Sequence, residues 1–360
     1  MARRGQCRRS ADKEMIVNNK HKLGFGIIGC GMISRWHAEA IVAIDDAYLV
    51  GVADASQSRA IDFASKYCCT AFQSPDALIA SDDVDVVCIC VPSGLHAEYA
   101  VKVASFGKHF VVEKPLAITR EQLGAIIEAC EKNHVKGCVI SQLRFAPDVQ
   151  KAKKAIEDGL IGRIVFADLT MKYHRSEKYY ATSPWRGTKA MDGGGALMNQ
   201  GIHGIDLLQY LAGPISSVCG VCKTLVHSIE VEDTASLTVE FANGAVGTVT
   251  GSTSVFPGFP RYIEINGTKG SIALTEDKIT RWIVDGDDCT DVIYREIGSI
   301  ASHNDPSQIT LELHKKQIEN MVDALMTGGD PLVDIYDGKR AVDVVLSAYE
   351  SSENGNRVLI

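Results

Sequence analysis

His203, in a glycine-rich helical stretch, is the residue whose type and setting point most directly to proton chemistry, and Lys114, in Glu113-Lys114-Pro115, lies just past a strand end where a ligand crevice opens. An imidazole of ordinary pKa, about 6.5, suits proton transfer around neutrality. His203 lies in the run from Asp192 to Leu208, where Met198, Ile202, Ile205, Leu208 and Ala212 recur at helical spacing and predict an amphipathic helix. Asn199, His203, Asp206 and Tyr210 share a different face, and Asn199 and His203 are near enough on it to touch. Gly201 and Gly204 each cost a helix interior about 0.8–1 kcal/mol relative to alanine, which predicts close approach by another backbone or a ligand. Ahead of this helix, Tyr173, Tyr180, Trp185 and Arg186 occupy a polar aromatic loop. Aromatic faces and a guanidinium suit a pyranose or an attached acid, with core packing the alternative for Trp185.

A second constellation lies upstream. The apolar run 23–28 leads into Gly29-Cys30-Gly31-Met32-Ile33-Ser34, a turn that brings bare backbone close to a dinucleotide pyrophosphate. Gly29 allows the tight turn, Gly31 the close approach, and Ser34 is small enough for the next helix to pack near the strand. That helix aims its N-terminal N–H groups at the anion, past Met32 and Ile33. Asp54, 25 residues beyond Gly29, ends a second apolar run where a ribose-binding carboxylate belongs. No arginine adjoins it to hold a 2′-phosphate, so NAD is expected rather than NADP. Arg59, one helical turn on, is the residue that bears on this choice.

The elements that must position these residues are legible as alternating apolar runs and helical patterns at 48–54, 57–66, 84–91, 96–106, 109–112, 119–133 and 136–140. Such alternation predicts a doubly wound parallel sheet with its ligand crevice at the carboxyl ends of the strands. Pro92, His96, Glu113, Lys114 and Arg144 follow those ends and, with Trp185 and Arg186, are read as lining the cofactor, although His96 also fits a capping or buried role. Beyond about residue 160, runs at 164–174, 215–223, 234–241, 245–254, 261–266, 270–274 and 278–283 predict a large, mostly antiparallel sheet, with Asn243-Gly244 as a hairpin turn. Its Thr/Ser-rich face, Thr234, Ser236 and Thr238, is solvated or forms a subunit interface, and a homo-oligomer through that face is expected. Helical patterns at 308–325 and 337–351 close the chain, and Tyr336 before the last is a candidate for the cofactor pocket. The fold class is therefore α/β, with a dinucleotide-binding domain over 23–145 and an α+β substrate and oligomerisation domain over 146–360.

Composition agrees with an ordinary soluble protein. The net charge of −8 on a chain of 360 residues argues against nucleic acid as the main partner, and no apolar stretch reaches the roughly 18 residues of a membrane span. Residues 1–22 are basic, lack an apolar core and read as a disordered tail rather than a secretory signal. Eleven scattered cysteines, including Cys88 and Cys90 inside an apolar strand, suit a reducing cytoplasm. Cys219 and Cys222 have the spacing of a redox or zinc pair, but in a strand they point to opposite faces, and no metal is expected.

The glycine turn with His37 behind it, Glu113-Lys114-Pro115, and Gly193-Gly194-Gly195 leading to His203 and Asp206 together resemble the Gfo/Idh/MocA family of glucose-fructose oxidoreductase and inositol dehydrogenase relatives. The resemblance covers about residues 23–360. It implies NAD-dependent hydride transfer at a secondary sugar hydroxyl, with Lys114 and His203 lining that hydroxyl beside the nicotinamide and a cis bond before Pro115. Many members carry aspartate where this chain has Asn199, and an amide orients a histidine without stabilising its cation. Trp185-Arg186-Gly187-Thr188 and the run through His203 are similar to the branch of nucleotide-sugar uronate 3-dehydrogenases and enzymes that oxidise glycosides at C3. Tyr173, Tyr180, Asn199, Lys114 and His203 are thereby the expected substrate contacts. The resemblance leaves open a glycoside-cleaving enzyme using transient oxidation, or a non-catalytic dinucleotide and sugar sensor.

Overall fold

The segment 86–89 is apolar at every position and wholly buried, as expected of a parallel strand covered on both faces. It sits centrally in the first of two sheets of the computed structural model, which describes residues 22–290 and 311–360. Residues 1–21 of the tail predicted over 1–22, and the start of the helix predicted over 308–325, lie outside the described residues. The strands of the first sheet are β1 (Leu23–Ile28), β2 (Ala47–Ala53), β3 (Thr70–Ala71), β4 (Val86–Ile89), β5 (His109–Val112) and β6 (Gly137–Val139). All pair in parallel, in the order β3-β2-β1-β4-β5-β6. Between them run α1 (Ser34–Val42), α2 (Gln57–Tyr67), α3 (Pro75–Ile79), α4 (His96–Ser105) and α5 (Arg120–Asn133). This is the doubly wound arrangement, whose strand order reverses beside β1 and opens a crevice above the glycine turn.

The rest of the chain supplies α6 (Pro147–Glu157), β7 (Ile164–Lys172), α7 (Glu177–Ala181), a π-helical turn over Ala196–Gly201, α8 (Ile202–Ala212), β8 (Ile215–Lys223), β9 (Thr234–Phe241) and β10 (Val246–Ser252). Then come β11 (Tyr262–Gly267), β12 (Gly270–Thr275), β13 (Lys278–Val284), β14 (Asp287–Asp288), α9 (Leu311–Thr327), α10 (Ile335–Asn354) and β15 (Val358–Leu359). These strands form a nine-stranded sheet in the order β14-β13-β12-β11-β7-β10-β9-β8-β15, antiparallel except where β7 and β10 pair in parallel. In β9 the side chains of Ala235, Leu237, Val239 and Phe241 are buried against the helical layer, while Ser236 and Thr238 are exposed on the other face. Cys219 is likewise on the exposed face, whereas the Cys222 thiol faces α10.

The last two long helices take different sides. From α9, Ile318, Met321 and Val322 enter the apolar cluster of Phe25, Ile27 and Val86 under the first sheet. By contrast, α10 packs on α8 and β8, where Ser351 and Ser352 accept the N–H groups of Gly220 and Cys222. The predicted helix around His203 is thus fixed from two sides, by β7 and by α10.

Gly193-Gly194-Gly195 threads between three walls. A Cβ on Gly193 would stand 2.3 Å from Ile118, one on Gly194 2.0 Å from the Tyr349 hydroxyl, and one on Gly195 1.9 Å from the Glu232 carbonyl oxygen. Gly201 meets the close approach its helix penalty predicted: its Cβ would lie 2.7 Å from the Ala196 carbonyl oxygen and 2.8 Å from the Met171 methyl. Because a backbone oxygen cannot swing aside, Gly201→Ala is expected to lose about 1–3 kcal/mol of stability to overpacking, more than the ~1 kcal/mol that alanine gains by propensity. Urea denaturation reads the sign, and a variant more stable than the parent would contradict this packing.

Candidate active site

The glycine turn is built for a dinucleotide. Gly29 has φ +95°, and a Cβ there would meet the Cys90 carbonyl oxygen at 2.4 Å, whereas a Cβ on Gly31 would find no protein atom within 4 Å. That open side faces the first turn of α1, where Met32 is exposed, Ile33 precedes the helix, and Ser34 folds its hydroxyl onto the Gly31 carbonyl at 2.7 Å. Asp54, just past the end of β2, accepts the Cys30 N–H at 2.8 Å and the Ser56 N–H at 2.7 Å. Arg59 bonds its Oδ1 through Nε at 3.1 Å and Nη2 at 2.7 Å. Burial opposes the Asp54 charge, but these donors outweigh it and lower the pKa. The carboxylate therefore stays ionised, which suits a ribose hydroxyl and repels a 2′-phosphate.

Lys114 follows β5 and joins Pro115 through a cis peptide bond. Its ammonium donates to the backbone carbonyl of Asn199 at 2.8 Å, so an amine from the first sheet reaches the turn that precedes His203. The Gly94 N–H, past the end of β4, donates to the Met191 carbonyl at 2.8 Å and makes a second crossing close by. Burial, then the charge of Lys114, pushes His203 down to about 3 from 6.5, so its imidazole is neutral rather than poised near neutrality. Lys114 is itself lowered by burial, with Glu113 and Asp192 opposing that trend and Arg186 and Arg175 adding to it.

Asn199 departs from its predicted role. The stretch 196–201 is π-helical, and this wider turn carries the Asn199 side chain away from His203 to donate to Asp192 Oδ1. His203 Nδ1 has no hydrogen-bond partner among the described residues. Glu232 anchors the turn by accepting the N–H groups of Gly195 and Leu197 at 2.9 and 2.7 Å. Beside it, Gln200 donates to Tyr179 Oη at 2.8 Å and accepts from Arg175 Nη2 at 2.8 Å. Arg186 lies over the rings of Tyr179 and Trp185, at 4.4 and 4.7 Å, outside the packed core. Tyr173 is buried just past the end of β7, and the Tyr180 hydroxyl shares a hydrogen bond with the Thr253 hydroxyl at 2.9 Å.

Four predicted cofactor contacts belong to the framework instead. Arg144 is buried in ion pairs, with Nε 2.9 Å from Asp206 and Nη2 3.1 Å from Asp337, which lock α8 to α10. His96 is enclosed, its two ring nitrogens 2.6 Å from the Pro115 carbonyl and 2.9 Å from the Val91 carbonyl, and it ties the Pro92 loop to the lysine turn. The Glu113 carboxylate turns inward to His37 Nε2 at 2.9 Å. Tyr336 is half exposed and donates to Glu131 at 2.6 Å near the C-terminal end of α5, at the opposite end of the first sheet from the crevice. Sequence reasoning passed over Asp192, Glu232, Tyr179, Arg175 and Gln200. Only Asp192 had a local signal, as the acidic residue opening the glycine run.

Residues 23–141 match an oxidoreductase family with an NAD-binding Rossmann fold, and residues 149–273 match the GFO/IDH/MocA C-terminal domain. Levoglucosan dehydrogenase of Pseudarthrobacter phenanthrenivorans is 31% identical over 293 residues, 71% of this chain and 74% of its own length. The chain belongs to the GFO/IDH/MocA family of oxidoreductases. Within that family, the WlbA dehydrogenase of Bordetella pertussis, solved with NADH and UDP-GlcNAcA, is 30% identical with a TM-score of 0.83, covering 94% of this chain and 99% of that one. The 2,7-anhydro-N-acetylneuraminate hydratase of Escherichia coli is 31% identical over 70% of this chain and 67% of its own. The protein is an NAD-dependent oxidoreductase, with a parallel Rossmann sheet and a large, mostly antiparallel second sheet.

Burial works against the Glu113 charge, yet the hydrogen bond and charge of His37, with His314 and Lys114 nearby, bring its carboxyl from 4.5 to about 2. A carboxyl lowered on folding stabilises the native state above its unfolded pKa and loses that contribution as pH falls through the folded value. Stability is therefore expected to decline between pH 4.5 and about 2. Glu113→Gln should be less stable at neutral pH and flatter across that window, and an unchanged slope in urea titrations would remove Glu113 from the balance.

Proposed function

We propose that the protein oxidises a secondary hydroxyl, at C3 of a sugar, glycoside or nucleotide sugar, and that Lys114 and His203 act on that hydroxyl. The observation that carries this reading is the Lys114 ammonium docked on the Asn199 carbonyl, beside a neutral imidazole on the next helical turn. NAD, when bound, supplies the hydride acceptor. His203, unprotonated in the resting cleft, takes the hydroxyl proton. Lys114 hydrogen-bonds the same oxygen and stabilises charge developing on it. Levoglucosan dehydrogenase and WlbA, as relatives, favour a carbohydrate or a nucleotide-linked one.

His203→Ala is expected to abolish sugar-dependent NADH formation while NAD affinity stays within about twofold, since the imidazole lies outside the glycine turn. Turnover near that of the parent would remove His203 from the chemistry. The hydratase relative favours a second reading, in which oxidation is transient and NAD is restored within each turnover. Release of a cleaved or rearranged sugar without net NADH separates it from the dehydrogenase.

The reading extends to assembly and location. The exposed face of the second sheet carries Phe166, Val221 and Val246 among Thr238, Thr248 and Cys219, a flat apolar and hydroxyl-rich surface suited to a second copy of the chain. Val246→Asp is expected to shift the mass in light scattering towards the monomer, and a parent already monomeric would exclude the interface. Buried thiols such as Cys88 and Cys138 suit a reducing cytoplasm, and no helix among the described residues is long and apolar enough to cross a membrane.

A further inference from the structure

Asp192 is almost fully buried, and it makes no ion pair among the described residues. One carboxylate oxygen accepts the Gly187 N–H at 2.8 Å, and the other accepts the Asn199 side-chain amide. The Asp192 and Gly193 N–H groups both return to the Thr188 carbonyl, at 3.0 and 3.2 Å. A single residue thus clasps the Trp185-Arg186-Gly187-Thr188 loop to the π-helical turn. On that turn, the Asn199 side chain is held by Asp192 while its carbonyl takes the Lys114 ammonium at 2.8 Å.

The charges around Lys114 give this clasp a second effect. Arg175, Arg186 and Lys114 are cationic, and His203 is neutral. Two anions face the amine, Glu113 and Asp192. Glu113 already serves His37, with His314 3.9 Å away. Among the described residues Asp192 has only neutral hydrogen-bond donors; burial raises its pKa, while those donors and the charges of Lys114 and Arg186 favour its anion, which acts on the amine without a direct ion pair.

We propose that Asp192 is a positioning residue for hydride transfer: by gripping Asn199 it fixes the carbonyl on which Lys114 docks, and its charge holds the proton on that amine. This rests on the proposed function only in assigning Lys114 to the reacting hydroxyl. The placement of Lys114 and its protonation can be read without any substrate.

Competitive amine labelling across pH, read by mass spectrometry on the full-length protein with NAD, gives the Lys114 titration midpoint. Asp192→Asn removes an anion facing a cation, so the midpoint is expected to fall by about one pH unit. With an oxidisable sugar, kcat should drop by about tenfold or more, KM for NAD should hold, and the alkaline limb of kcat should move down with the midpoint. Asp192→Glu should restore part of both. A simple scaffold role would lower stability and leave the midpoint in place, and an unmoved midpoint overturns the proposal. Should Asp192→Asn fail to fold, Asn199→Ala tests the grip, because it keeps both the carboxylate and the carbonyl; kcat is expected to fall with the midpoint nearly unchanged, and a kcat equal to the parent's overturns the proposal. A parent that oxidises no sugar, together with a midpoint that moves in Asp192→Asn, would refute the proposed function and leave the Asp192 assignment standing.

Discussion

The candidate active site depends on one hydrogen bond between the two halves of the chain, from the Lys114 ammonium to the Asn199 carbonyl. The helix entry that carries this carbonyl is π-helical, with a wider turn than an α-helix. The entry has this shape because Glu232 takes two of its N–H groups, and three glycines let Ile118, Tyr349 and Glu232 close around it. Each wall comes from a different part of the chain: the segment after the lysine motif, the last long helix, and the segment leading into β9. The π-helical turn is therefore a product of tertiary packing as much as of its own sequence.

A second consequence is rigidity on both sides of the contact. Lys114 stands on a cis proline turn whose Pro115 carbonyl is held by His96, and whose neighbour Glu113 is held by His37. His203 stands on α8, pinned beneath by the Arg144 ion pairs to Asp206 and Asp337. Buried pairs such as these contribute little net stability once desolvation is counted, but breaking one leaves a costly unpaired charge. Their effect is to fix α8 against α10 and the end of the first domain, and with it the aim of the imidazole.

Much of this was legible in the sequence where the signal is local. The strands at 215–223 and 234–241 coincide with the runs read from alternation, since one face of each is buried by helices along its length. The glycine turn, Asp54 and Glu113-Lys114-Pro115 were legible because they sit at strand ends that periodicity locates. What failed needed distant partners. Arg144 looked like a crevice residue until its carboxylates, 62 and 193 positions away, were in place. Glu232 caps a turn 37 residues before it, and no spacing rule reports that. Tyr336 was misplaced because the end of the sheet it faces is set by the direction of α5. The π-helical turn was missed because its apolar residues fit α-helical spacing equally well, while the capping carboxylate decided the wider geometry.

The protonation pattern follows from the same packing. Burial disfavours the cationic form of both Lys114 and His203, and each positive charge would further disfavour the other. Two basic groups in one desolvated cleft cannot both hold a proton cheaply. Lys114 starts from 10.5 and His203 from 6.5, so the proton rests on the amine. Glu113 and Asp192 reinforce that choice, since both act on the amine in the sense that retains its proton. The imidazole is left neutral without a carboxylate at position 199, and an asparagine is chemically sufficient there: it need not steady a cation, only offer an amide to Asp192 and a carbonyl to Lys114. Which of the amine and the imidazole carries the charge is thereby set by which group loses the contest for a single proton.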